Sequence, residues 1–114
     1  RIVGDYLKKG LERLASQQSI IGDVRGKGLL LALEIVSDVR TKSMFNMDQR
    51  AIYRISELGI KNGILLYTRK TAKGENGEWL MIAPPLISTT DQCDDFLSRL
   101  NETLKDFQKE QGII

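Results

Sequence analysis

Apolar positions recur at helical spacing in three stretches of the chain, and short strand-like apolar runs separate them. Val3, Leu7, Leu11 and Leu14 fall on one face, so Arg1–Ser16 is predicted to form an amphipathic helix. Two short apolar runs follow within Ile20–Val36 and flank Arg25-Gly26-Lys27-Gly28. A glycine at the first central position of a two-residue turn suits a type II′ hairpin, which puts the turn at Gly26-Lys27 and the hairpin at about Ser19 to Val36. The second run, Leu29–Val36, is apolar apart from Glu34. Such a strand is expected to be covered on both faces or nearly so, and it calls for a sizeable partner.

Ser37–Met44 is polar and charged and reads as a connecting loop. Met47, Ala51, Ile55 and Leu58 again trace a helical face, with Ile52 beside them, and Asn62-Gly63 supplies the stop. Ile64–Thr68 is predicted as a strand and Arg69–Glu78 as an exposed loop. Trp79–Ala83 is the next strand, ended by Pro84-Pro85, which donate no ladder hydrogen bonds. Thr89 with Gln92 three residues on has the form of a capping box.

Cys93, Phe96, Leu97, Leu100, Leu104 and Phe107 then form one helical stripe. Asp91, Asp94 and Asp95 near its start, and Lys105 and Lys109 near its end, complement the helix dipole, with Gly112 beyond it. The order helix, strand, strand, helix, strand, strand, helix predicts an α+β fold. A small antiparallel or mixed sheet of about four strands carries helices on one face, as a single domain over residues 1–114.

The 114 residues suit one domain, and 41% hydrophobic with 28% charged residues is ordinary globular composition. A net charge of +2 makes no case for a nucleic-acid or membrane surface, so neither partner is expected. No apolar run approaches the roughly 18 residues of a membrane span, and no stretch resembles a secretory signal. A single cysteine, Cys93, forms no internal disulfide, which suits a reducing cytoplasm. The chain opens on Arg1 rather than Met, so a processed terminus or a piece of a longer polypeptide is expected.

Histidine is absent, which excludes Ser-His-Asp and Cys-His catalysis and any histidine metal site within these residues. One cysteine and scattered carboxylates argue against a metal centre. Gly26-x-Gly28-x-x-Leu31 lacks the third glycine of a dinucleotide fingerprint and leads into a strand. None of the nine lysines lies in the apolar setting that a Schiff-base lysine needs, so each reads as a solvated charge. Cys93 on an apolar helix face reads as a core thiol, and Trp79 as packing. Arg25 reads as a structural donor to nearby carbonyls or a carboxylate. Arg69 leaves a strand, and two readings stay open: a bidentate partner for a substrate carboxylate, or a solvated loop charge.

Ile21–Ile35 (IGDVRGKGLLLALEI) and Leu80–Ile87 (LMIAPPLI), followed by Thr89–Phe107, resemble the C-terminal small domain of class III aminotransferases, pyridoxal-phosphate enzymes of fold type I. The resemblance covers nearly the whole chain. It implies a missing N-terminal large domain of the same chain, a homodimer, and a ping-pong reaction. That reaction moves an amino group from an amine or ω-amino acid to a keto acid such as pyruvate. The family's cofactor lysine, its aspartate and its stacking aromatic all precede the small domain. No catalytic or cofactor-binding residue is therefore expected here, and the fragment alone is expected to be inactive and free of pyridoxal phosphate.

In ornithine- and GABA-type members an arginine stands two residues before the APPL alanine. Here that position is Met81, which disfavours the subgroup. In ω-amino-acid:pyruvate and related amine transaminases the arginine lies earlier, and Arg69 is the match, so the resemblance implies that Arg69 binds a substrate carboxylate. The competing readings are a stand-alone α+β ligand-binding or regulatory domain and a plain interaction module, both without catalysis. The isolated domain is expected to associate through the Arg1–Ser16 helix or an exposed sheet face.

Overall fold

A computed structural model describes residues 2–27, 30–37, 45, 50–70, 78–82 and 89–113. The elements are α1 (Ile2–Gln17), β1 (Ile21–Lys27), β2 (Leu30–Ile35), α2 (Ala51–Lys61), β3 (Leu66–Lys70), β4 (Glu78–Ile82) and α3 (Thr90–Glu110), in the predicted order. The four strands form one sheet in the order β1-β2-β4-β3, and every neighbouring pair is antiparallel.

Side chains alternate across the pleat, so the register decides which residues meet. Leu31, Leu33 and Ile35 on β2, Leu80 and Ile82 on β4, and Leu66 on β3 are all buried and share one core with the helices. α1 packs on β1, α2 packs on β3 and β4, and α3 packs across both α1 and α2. Leu7, Leu11 and Leu14 of α1, Ile52, Ile55 and Leu58 of α2, and Cys93, Phe96, Leu100, Leu104 and Phe107 of α3 supply the helical half of that core. Phe45 adds a ring set edge-on to Phe107, with centroids 5.4 Å apart.

Local chemistry sets the element ends. Thr89 accepts from the Gln92 backbone N–H at 3.1 Å, and the Gln92 side chain accepts from Thr89 N–H at 3.2 Å, which closes the predicted capping box. α2 ends with Gly63 at φ 88. There Gly63 N–H donates to Ile60 O at 3.1 Å and Ile64 N–H to Gly59 O at 2.8 Å, the paired bonds of a Schellman motif. α3 holds this end in place: Arg99 Nη1 donates to Asn62 O at 2.9 Å, and Asn62 Nδ2 to Thr103 Oγ1 at 3.0 Å. Behind α1, the buried side chain of Gln108 donates to Gln18, whose own amide donates to Asn101 at 2.7 Å. The turn between α1 and β1 is thereby tied to α3 through satisfied polar groups.

Four expectations need correction. The β1–β2 turn does not fall at Gly26-Lys27: both belong to β1, Gly26 pairs with Leu31 and Lys27 with Leu30, and Gly26 carries its φ of 127 inside the ladder. Gly28 and Leu29 lie outside the described residues. β3 begins at Leu66, not Ile64, because the Schellman motif uses the backbone through Ile64 before the chain is free to extend. Arg69 therefore lies within β3 rather than after it. Among the described residues the apolar β2 run is covered by helices on one face only: Leu31, Leu33 and Ile35 are buried, while Ala32 and Glu34 are half-buried on the other side. Glu78, predicted in an exposed loop, opens β4 and is buried on the core side. The predicted loop residues 38–44, Met47, and the APPL segment at 83–86 lie outside the described residues.

Candidate functional site

The described helices leave one face of the sheet open, and the register lines up its side chains in two rows. Arg25 pairs with Ala32, Ala32 with Met81, and Met81 with Tyr67, which makes one row across all four strands. Asp23 pairs with Glu34, Glu34 with Trp79, and Trp79 with Arg69, which makes the second. A register shift between Ile21 and Asp23 takes up Gly22, so that Ile21 stays in the core while Asp23 and Arg25 point to the open face.

Arg25 and Arg69 are the two arginines of this face among the described residues, and their surroundings differ. Arg25 Nε donates to Asp23 Oδ2 at 2.8 Å, and its guanidinium carbon lies 5.3 Å from the Trp79 ring centroid. Ala32, between the two strands, is small enough to let the Arg25 side chain cross β2. Arg25 is thus held by a carboxylate and an aromatic face, in keeping with its reading as a structural donor. Arg69 is exposed, stands directly opposite Trp79 on the edge strand β3, and makes no ion pair with any described carboxylate. A guanidinium so placed keeps its planar fork of donors available for a carboxylate.

The sequence alone separated Arg69 from Trp79, one in a loop and the other in a strand, and the register makes them neighbours. Sequence spacing does not group Trp79, Tyr67, Met81, Glu34 and Asp23 with Arg69. The signal was strand alternation, which assigns residues 67 and 69 to one face once β3 starts at Leu66.

Cys93 is buried, and burial pushes its thiol up, away from the reactive thiolate, as expected of a core cysteine. Among the described residues no group of three or more His, Cys, Asp or Glu is placed to hold a metal ion. No helix is long and apolar enough to cross a membrane.

The family model for class-III aminotransferases matches residues 1–104. The chain belongs to the class-III aminotransferase family. It is 39% identical over 108 residues to YodT, an uncharacterized aminotransferase of Bacillus subtilis, covering 93% of this chain and 24% of that protein. It is 29% identical over 111 residues to the taurine–pyruvate aminotransferase of Bilophila wadsworthia, covering 97% of this chain and 24% of that one. Its fold matches a transaminase from the marine bacterium Virgibacillus with a TM-score of 0.87 at 26% identity, over 96% of this chain and 24% of that chain. The chain thus spans about a quarter of the length of these relatives.

Enzymes of this family depend on pyridoxal phosphate in general. The described residues do not fit that group. Lys9, Lys61, Lys105 and Lys109 are exposed, and Lys8, half-buried, donates to Gly26 O at 3.1 Å. None sits in the desolvated pocket that lowers a lysine's proton affinity enough for Schiff-base chemistry.

Proposed function

We propose that these residues are the C-terminal small domain of a pyridoxal-phosphate-dependent class-III aminotransferase, and that Arg69 binds a substrate carboxylate in it. The whole enzyme moves an amino group from an amine or ω-amino acid to a keto acid such as pyruvate. The cofactor supplies the electron sink for that transfer and is held by the rest of the polypeptide, so the 114-residue chain alone turns nothing over. The whole enzyme is a cytoplasmic homo-oligomer.

The observation that carries this reading is the contrast between the two arginines of the open face. Arg25 is engaged by Asp23 and Trp79, whereas Arg69, opposite Trp79, is exposed and makes no ion pair with a described carboxylate. A domain without a cofactor site contributes to amino transfer by capturing and orienting substrate, and an uncommitted guanidinium is suited to a carboxylate. The taurine–pyruvate aminotransferase of Bilophila wadsworthia, at 29% identity, favours pyruvate as the acceptor.

The test is Arg69→Ala in the full-length enzyme. Losing a charge-assisted hydrogen-bond pair costs about 1.5–3 kcal/mol, so the KM for pyruvate should rise by roughly 10- to 100-fold. Arg69→Lys keeps the charge without the fork and should recover part of the loss. An unchanged KM for every keto acid and amino acid tried rules the assignment out.

A further inference from the structure

We propose that Asn62-Gly63, the stop of α2, is a deamidation site whose reaction is held back by the grip of α3. The residues that end the helix also bring the ingredients of this chemistry together. Asparagine is thermolabile. The backbone nitrogen that would attack its side chain belongs to Gly63, which has no side chain to shield it, and a glycine is demanded there by the φ of 88. The reaction needs only water. The Gly63 nitrogen gives its proton to solvent and bonds to Asn62 Cγ. The Cγ–Nδ2 bond then breaks and ammonia leaves, which closes a five-membered imide. Water opens the imide at either carbonyl and leaves aspartate or isoaspartate. Nothing is oxidised or reduced.

The fold opposes ring closure through both the backbone and the side chain. Asn62 stands at φ −90 and ψ 4. A ψ near zero nearly eclipses the Gly63 nitrogen with the Asn62 nitrogen, so it lies away from Cβ, the atom that carries Cγ. Closure must swing it round. That movement breaks the 3.1 Å bond from Gly63 N–H to Ile60 O and carries Asn62 O away from Arg99 Nη1, now 2.9 Å distant. The leaving group is held as well. Asn62 Nδ2 donates to Thr103 Oγ1 at 3.0 Å and to Asp106 Oδ2 at 3.2 Å, which engages both of its hydrogens. Thr103 is fully buried, and its hydroxyl donates to Arg99 O at 2.8 Å, so this acceptor is itself fixed. Deamidation therefore proceeds only when the joint between α2 and β3 opens, and its rate measures that opening. The product has lost the donor to Thr103 and sets a carboxylate beside Asp106. Conversion thus loosens the contact that delayed it.

The test is the rate of conversion in the folded full-length polypeptide, incubated in mildly alkaline buffer. Peptide mass spectrometry follows Asn62 separately from Asn76-Gly77, the other Asn-Gly of the chain. A synthetic peptide of residues 58–66 gives the unrestrained rate. Asn62 in the folded protein should convert at least about tenfold more slowly than in the peptide. Thr103→Val keeps the side-chain shape and removes the acceptor, so it should speed conversion by about 2- to 10-fold, the factor carried by one hydrogen bond. Thr103→Ser loses a buried methyl but keeps the hydroxyl, and it should convert more slowly than Thr103→Val. Asp106→Ala removes the second acceptor and repeats the measurement if Thr103→Val does not fold. Equal rates in protein and peptide overturn the proposal. So does a Thr103→Val rate equal to that of the unsubstituted protein, or a Thr103→Ser rate as fast as that of Thr103→Val, which would reflect general loosening and not the grip on Asn62. No keto acid enters this measurement, so it stands or falls separately from the Arg69→Ala test.

Discussion

Leu33 and Leu80 pair across β2 and β4 on the helix side of the sheet, while Ala32 and Met81 pair one residue away on the other side. That single step separates two kinds of surface. The helix side is closed: its side chains touch one another, the α3 N-terminus and the α2 C-terminus are capped, and α3 locks both the α1 turn and the α2 terminus. The open side has charges, a tryptophan, a tyrosine and an arginine without a described carboxylate partner. Stability resides on the first side, the proposed recognition by Arg69 belongs to the second, and the backbone of the same strands serves both.

Substitutions should respect that division, and the largest effect lies in the core. Leu33→Ala removes a fully buried side chain and should cost about 2–5 kcal/mol in chemical denaturation. Met81→Ala, on the same sheet but the open side, should cost less than about 1 kcal/mol in the 114-residue chain. Comparable losses at the two positions would erase the distinction between the faces.

Gly63→Ala probes the helix side from its edge. At φ 88 an added Cβ is strained, and it would lie 2.6 Å from Arg99 Nη1, the group that donates to Asn62 O. The left-handed penalty is about 1–2 kcal/mol. The melting temperature should fall by roughly 4–8 °C for each kcal/mol in a domain of this size. Arg69 and Arg25 substitutions should leave the melting temperature almost unchanged.

The smallest effect is one of pH. Arg54 donates to Glu110 through Nε at 2.9 Å and through its second nitrogen as well, and this hydrogen bonding holds the Glu110 carboxyl below its ordinary value of 4.5. A carboxyl lowered in the folded state adds stability above its unfolded pKa and loses it as pH falls through the folded value. The Arg54 link between α2 and α3 should thus weaken only below about pH 4.5, and Glu110→Gln should flatten that part of a stability–pH profile. Both partners are well exposed, so the change is modest.

Much of this was legible in the chain. The helical stripes of α1 and α3, the Thr89–Gln92 box and the Asn62-Gly63 stop are local signals, read within a few residues and matched by the structure. The order of seven elements followed from them. What escaped the sequence depends on pairing between distant strands. The displaced β1–β2 turn and the later start of β3 came from backbone bonds at Gly26 and Ile64 that no periodicity reports. The alignment of Arg69 with Trp79, and the reach of Arg25 across Ala32, require a register that only the folded sheet supplies. The apolar run of β2 predicts cover on both faces, and the described helices meet that expectation on one face only.

The central claim is that recognition of the substrate carboxylate falls to Arg69 and not to Arg25. The most direct measurement compares the KM for pyruvate of Arg69→Ala and Arg25→Ala in the full-length enzyme. The account predicts a rise of roughly 10- to 100-fold for the first and less than about threefold for the second, whose guanidinium is already taken by Asp23 and Trp79. Equal effects, or a larger effect at Arg25, would contradict it.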